Sequence, residues 1–200
     1  MKFCKTCLFP DTKPDLYFDD EGICDACRSA ETKWDLEKMV DWPARENEFQ
    51  SIIEELPKTG SYDCVVPVSG GKDSTWQAYS LVKTHNLKTL AVTFDQFDQT
   101  DTGRHNLEVL KEIGVDHIHF TLNPNVVKKL VLRGFEEVGD LYWVNHVGIF
   151  SIPMRVAKWM NIPLVVYGEN PQFEYGGPVA NRLPQPMNER WRQEFGGLRG

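Results

Sequence analysis

Six consecutive residues, Ser69-Gly70-Gly71-Lys72-Asp73-Ser74, are of the types that hold a phosphate chain. The two glycines allow a sharp turn that aims backbone N–H groups inward as an anion nest. Lys72 adds a mobile cation, Ser69 and Ser74 add hydroxyl donors, and Asp73 can orient the loop or a Mg2+ ion. The spacing is not the Walker pattern, which needs four residues between its first glycine and Gly-Lys-[Ser/Thr]. The dinucleotide fingerprint Gly-x-Gly-x-x-Gly is also absent. The competing reading is a plain strand–helix turn that contains Gly-Gly-Lys.

A second cluster lies at the start of the chain. Cys4-x2-Cys7 and Cys24-x2-Cys27, with sixteen residues between the pairs, have the spacing of a Cys4 zinc ribbon. Each pair forms a tight knuckle with two thiolates, and four thiolates close a tetrahedral site. That leaves no open position, so the zinc expected here is structural rather than catalytic. Residues 1–30 carry too few aliphatic side chains for a core and would need the metal to fold. A redox pair and an iron–sulfur site are the rival readings. Cys64, the fifth cysteine, sits in an apolar run and reads as a small buried residue.

The elements that must position these groups follow from apolar spacing. Residues 31–60 form a helical linker, with Trp34, Leu36 and Met39, then Phe49, Ile52, Ile53 and Leu56, at near-helical intervals, and Pro43 between two short helices. Pro57-Lys58-Thr59-Gly60 breaks the chain, and residues 61–200 form the main domain. Strands are predicted at 63–68, 89–94, 117–120 and 164–167. Helices are predicted at 74–84, 106–113, 126–138 and 144–160, the last kinked at Pro153. Strands alternating with helices imply a doubly wound parallel sheet, hence an α/β fold.

Composition narrows the classes. The chain has 200 residues, 41% hydrophobic and 26% charged, as in an ordinary soluble domain. A net charge of −7 argues against nucleic acid as a partner. No stretch approaches the roughly 18 apolar residues of a membrane span, and Met1-Lys2-Phe3-Cys4 opens no apolar signal segment; a cytoplasmic location is the expectation. The tail from Pro171 carries no strand signal and ends on Gly196-Gly197-Leu198-Arg199-Gly200, which reads as a C-terminally incomplete domain.

The strand–Ser-Gly-Gly-Lys-Asp-Ser–helix arrangement resembles the PP-loop of the ATP pyrophosphatase superfamily, whose fold is HUP-like, of the adenine nucleotide α-hydrolase kind. The resemblance implies ATP and Mg2+ as cofactors, with Lys72 and Asp73 catalytic. It further implies ATP contacts from Ser69, Gly70, Gly71, Lys72, Asp73 and Ser74, from Asp95 at the end of the second strand, and from Gly168, Glu169 and Asn170 at the end of the fourth. Members of the superfamily cleave ATP between the α and β phosphates, transfer AMP to a substrate oxygen, and let a nitrogen or sulfur nucleophile displace it.

Two branches join a cysteine ribbon to such a domain. The tRNA 2-thiolation enzymes need further catalytic-domain cysteines, and only Cys64 is present; the 144–160 segment opens Val144-Asn145-His146-Val147-Gly148 instead. The chain is more similar to the N-acetyl sugar amidotransferases of surface-polysaccharide (lipopolysaccharide, O-antigen) biosynthesis. That resemblance rests on Cys4-Lys5-Thr6-Cys7 with Pro10 and Asp11, Gly22-Ile23-Cys24-Asp25-Ala26-Cys27, the loop, and Tyr167-Gly168-Glu169-Asn170-Pro171. It implies a nucleotide-linked N-acetyl sugar as substrate and ammonia from a separate glutaminase subunit. The alternatives are a tRNA thiolation enzyme and a non-catalytic nucleotide-binding scaffold.

Several residues remain two-sided on sequence. Asp95 can contact ribose or Mg2+, or cap a helix. Asn106 caps a helix or faces the site. His146 is a candidate general base or a structural histidine. Tyr142 and Trp143 can stack on a ring or pack in the core, and Arg182 can meet a diphosphate or lie in solvent.

Overall fold

The computed structural model describes residues 1–12, 16–33, 40–57, 60–168, 189 and 192. The predicted positions Trp34, Leu36, Met39, Glu169, Asn170 and Arg182 lie outside the described residues. The chain divides into two compact units, one holding residues 1–54 and the other residues 55–168.

In the first unit, short backbone bridges pair Phe3 with Pro10 and Phe18 with Cys24. Helix α1 (Asp25–Lys33) follows at once, opened by an acidic residue that suits the positive end of a helix. Asp19 fastens the turn before it. Its carboxylate accepts from the N–H of Glu21 at 3.0 Å and of Ile23 at 2.9 Å, and from Arg28 Nε at 2.7 Å. The Ile23 amide and the Arg28 guanidinium hold the Asp19 carboxyl below its ordinary range. Helix α2 spans Trp42–Glu54. Pro43, expected to separate two helices, lies in the first turn of α2, where a missing N–H costs no intrahelical bond; the helix expected before it falls on residues outside the described ones.

The second unit is a four-stranded parallel sheet. Strand β1 is Cys64–Pro67, β2 Thr89–Phe94, β3 Asp116–Phe120 and β4 Leu164–Val165, in the order β3-β2-β1-β4. The helices between them are α3 (Lys72–Lys83), α4 (Asp101–Glu112), α5 (Pro124–Val138) and α6 (Trp143–Met160). The α/β, parallel reading of the sequence is what the structure has.

Burial follows strand position. Every residue of the inner strand β2 is buried, whereas the edge strand β3 has only exposed and half-buried residues. On one face Val65, Leu90 and Val92 pack with Val156, Ala157 and Ile162 of α6 and the turn after it. Each such side chain contributes roughly 1.5–3 kcal/mol by leaving water. Helices α3 and α4 pack against each other, α3 also on β1 and β2 and α4 on β3.

Element ends differ from the sequence reading where capping decided them. Helix α3 begins at Lys72 rather than 74, so the last three residues of the glycine loop are its first turn. Helix α4 begins at Asp101 rather than 106: Thr100 caps it by accepting from Gly103 N at 3.1 Å. Gly103 in the first turn disguised that start. Helix α5 starts at Pro124 behind an Asn123 cap and stops at Gly139, whose φ is 78°. Pro153 lies buried inside α6. Strand β4, expected to reach residue 167, ends at Val165 with one further ladder bond from Val166 N to Val65 O. The chain then turns as Tyr167 donates its hydroxyl to Phe150 O at 2.9 Å.

Candidate functional site

Strand β1 lies between β2 and β4, so the chain's successive crossovers reverse direction at the β1–β4 boundary. In open parallel sheets, ligands bind at such a reversal, beyond the carboxyl ends of the strands. The loop after β1 is Val68–Gly71. Its first carbonyl, Val68 O, leaves the sheet ladder and accepts the Thr93 hydroxyl at 2.7 Å; Thr93 Oγ1 also lies 2.8 Å from His117 Nε2. Since the hydroxyl proton goes to Val68, His117 is the donor to Thr93. Burial lowers the His117 pKa, and the nearby His119 reinforces the shift.

Beyond Val68 the loop is held from several sides. Gly71 N donates to Ser69 Oγ at 3.3 Å, and Ser69 N donates to Ser74 Oγ at 3.4 Å. Ser74 and Thr75 hydroxyls both donate to Gly71 O, at 3.3 and 2.8 Å. Gln99 Nε2 reaches Ser69 O at 3.5 Å, and Asn106 Nδ2 donates to Gly70 O at 2.7 Å. Gly70 has φ +81°, and a Cβ there would lie 2.3 Å from Gly103 O. Both facts demand glycine.

Gly71 is the N-cap of α3 and, having no side chain, makes no capping hydrogen bond to the first turn of that helix. Its amides and the positive end of the helix dipole are available to an anion. Lys72 and Asp73 are almost fully exposed, with Lys72 Nζ 3.5 Å from Asp73 Oδ1. A pair this exposed is weak and holds neither group back from a ligand.

Of the other sequence candidates, Asp95 and Gly168 follow the two strands that flank β1. Asp95 follows β2 directly; its carboxylate accepts from Phe97 N at 2.9 Å and from the Thr121 hydroxyl at 3.2 Å, and His119 Nε2 is 3.7 Å away. Gly168, beyond β4, lies against Gln77 of α3: a Cβ on Gly168 would be 3.3 Å from Gln77 Oε1. His146 stands in the first turns of α6 with Nδ1 3.4 Å from Asp140 Oδ2. Tyr142 is exposed, whereas Trp143 packs on Gly134, where a Cβ would approach it to 3.1 Å. Cys64 is fully buried beside Thr89, and burial pushes its thiol pKa up. Asn106 and Gln99 are the loop contacts that sequence reasoning left undecided or missed. Asn106 lies one helical turn after Gly103 on the side facing the loop, and that signal emerges only once α4 is known to start at Asp101.

In the first unit the Sγ atoms of Cys4, Cys7, Cys24 and Cys27 all lie within 4.8 Å of one another. Cys4 and Cys27 are 3.8 Å apart, and Cys7 and Cys24 3.6 Å. Four thiolates about 2.3 Å from a tetrahedral zinc are separated by roughly 3.8 Å, so the donor set fits that ion. Backbone N–H groups of Thr6 and Cys24 point at Cys4 Sγ, at 3.4 and 3.2 Å, as a thiolate requires. Burial opposes ionisation of Cys4, but the amides of Cys7, Cys24 and Thr6 outweigh it and bring the thiol to about 6. Burial and the neighbouring thiols push Cys24 and Cys27 upward. A cation resolves that conflict by allowing all four to ionise.

No described helix is long and apolar enough to cross a membrane. Neither a protein-family description nor a curated protein sequence matches the chain. Among solved structures it is similar to the NMN synthetase from Francisella tularensis, with 17% identity and a TM-score of 0.45 over 56% of this chain. The chain spans about half of that protein's length, 47%. So distant a likeness carries no argument about function.

Proposed function

We propose that the Ser69–Ser74 loop binds the pyrophosphate end of ATP and that the protein is an adenylating enzyme of the PP-loop type. The observation that carries this reading is the loop itself. A glycine turn at the carboxyl end of the central strand is braced by Asn106 and Gln99, and it opens a helix whose first turn has no side-chain cap. When bound, ATP with Mg2+ supplies the activating AMP group and a pyrophosphate leaving group.

The residues then have separable tasks. Amides of the loop and of the first turn of α3 hold phosphate oxygens, and Lys72 balances charge that develops on pyrophosphate. Asp73 orients the metal, or the Lys72 ammonium. Asp95 and Gly168 flank the nucleotide at the ends of β2 and β4, and Glu169 and Asn170, next in sequence after Gly168, are the further contacts that the resemblance implies. Cys4, Cys7, Cys24 and Cys27 hold a structural zinc that orders the first unit.

Within that class we infer an N-acetyl sugar amidotransferase. The acetamido oxygen attacks the α-phosphorus and pyrophosphate leaves. Ammonia adds to the activated carbon, AMP departs with the former acetamido oxygen, and loss of a proton leaves an acetamidino group. Ammonia would come from a glutaminase subunit. The burial of Cys64 supports nitrogen over sulfur as the nucleophile, since a buried thiol with a raised pKa is a poor sulfur carrier.

The test is to incubate the protein with Mg·ATP, an ammonium salt and a nucleotide-linked diacetamido sugar. AMP and pyrophosphate should appear together, in proportion to sugar consumed, and Lys72→Ala should abolish them. Release of ADP, or turnover indifferent to sugar, overturns the amidotransferase reading. Sulfur-dependent modification of tRNA would replace it.

A further inference from the structure

Gln77 makes one full turn of α3 beyond Asp73 and carries a buried side-chain oxygen, Oε1, with no hydrogen-bond partner among the described residues. Such an orphan is costly, and native proteins retain few of them. Its surroundings are specific. Helical side chains lean toward the N-terminus of their helix, so the Gln77 amide points back toward the glycine loop. It reaches Gly168, just beyond β4, at the β1–β4 reversal where ligands enter parallel sheets. Gly168 has no side chain to crowd Oε1: a Cβ there would lie 3.3 Å from it.

We infer that Gln77 is a ligand-contact residue whose orphaned carbonyl accepts a hydrogen bond from an N–H or O–H donor on the nucleoside half of the bound nucleotide. This rests on the reading that the Ser69–Ser74 loop binds ATP. A carbonyl oxygen repels phosphate oxygens, so its partner is a part of the nucleotide that carries donors. Those are the exocyclic amine of the base and the ribose hydroxyls. Gln77 is five residues from Lys72, about 7.5 Å along the helix axis, and its side chain recovers part of that distance toward the loop. The geometry therefore separates a phosphate-holding end from a donor-reading position on one helix. It also explains why the chain carries a polar residue where an apolar one of the same shape would pack without cost.

The substitution Gln77→Met keeps the length of the side chain and removes the acceptor. In the ligand-free protein it should raise the thermal midpoint by a few degrees, because an unsatisfied buried group disappears. In calorimetric titration with Mg·ATP it should weaken binding at least tenfold. Titrating the unsubstituted protein with Mg·ITP, which lacks the amine, and with Mg·2′-deoxy-ATP identifies the donor. One of the two should bind more weakly than ATP by a similar factor, and Gln77→Met should no longer discriminate against it. Binding of Mg·ATP by Gln77→Met within twofold of the unsubstituted protein overturns the inference while leaving the ATP reading intact. A lowered midpoint also overturns it, because Gln77 would then be a packing residue. Failure of the unsubstituted protein to bind Mg·ATP overturns both readings.

Discussion

Asn106 Nδ2 donates to Gly70 O at 2.7 Å, joining the first half of α4 to the tightest point of the glycine loop. The contact spans 36 positions in the chain and fixes the peptide plane between Gly70 and Gly71. With that carbonyl turned toward Asn106, the N–H of the same planar peptide, that of Gly71, points the other way and donates to Ser69 Oγ at 3.3 Å. Asn106→Ala should weaken Mg·ATP binding about tenfold, the scale of one lost hydrogen bond of ~1–1.5 kcal/mol. Its thermal midpoint should move little, since the contact is only half-buried. Calorimetry and a melt on the same sample check both halves.

Gly70 and Gly103 meet backbone to backbone, but the two are not equivalent. A methyl group on Gly70 would collide with Gly103 O at 2.3 Å and would also be strained at φ +81°. A methyl on Gly103 meets Thr100 Oγ1 at 3.4 Å and Ser69 O at 3.9 Å, both ordinary contacts. Gly70→Ala should therefore abolish nucleotide binding and cost ~2–4 kcal/mol of stability from clash and strain together. Gly103→Ala should leave both within experimental error, or stabilise slightly through helix propensity. Urea melts of the two variants side by side make the comparison.

Gly148 carries α6 across the sheet. A Cβ there would lie 2.3 Å from the Phe94 ring, whose own position is set by stacking on Phe120. Gly148→Ala should cost ~1–3 kcal/mol by overpacking, lowering the midpoint of urea unfolding with an unchanged slope.

His117 links pH to stability. Its folded pKa is lowered from 6.5 by burial, so between that lowered value and 6.5 the unfolded chain binds more protons than the native one. Stability contributed by neutral His117 is complete above pH 6.5 and is lost as pH falls through that window. His117→Gln keeps a donor for Thr93 without titrating. It should flatten the decline in unfolding free energy between pH 6.5 and 5, measured by denaturant titration at a series of pH values.

Removing the metal should act on the first unit alone. Chelation should release one zinc per chain and expose the amides of α1 to hydrogen exchange, while the amides of β1 and β2 stay protected. Cys27→Ser, which leaves three thiolates, should reproduce the loss of α1 protection. Exchange of residues 1–33 unaffected by chelation would refute the structural role of the ion.

Much of this was legible before any fold was known. The buried strands β1 and β2 announced themselves as the apolar runs at 63–68 and 89–94, because an inner parallel strand has no solvent face to alternate toward. The four cysteines needed only their spacing. What was lost was a helix start governed by capping: behind its Thr100 cap, α4 begins at Asp101, five residues before the start that apolar periodicity suggests. A cap is one local hydrogen bond and leaves little pattern in hydrophobicity.

By itself the sequence determined the local chemistry: a glycine turn able to nest an anion, two thiolate pairs at ribbon spacing, and alternating strands and helices. These are properties of neighbouring residues, set by backbone sterics and side-chain type. Only the tertiary structure decided that β4 pairs with β1, that Asn106 and Gln99 brace the loop, and that Gln77 lies against Gly168 with its carbonyl unpaired among the described residues. Those contacts join residues tens of positions apart, and their partners are chosen by how helices pack on the sheet. No feature of the local sequence encodes that choice.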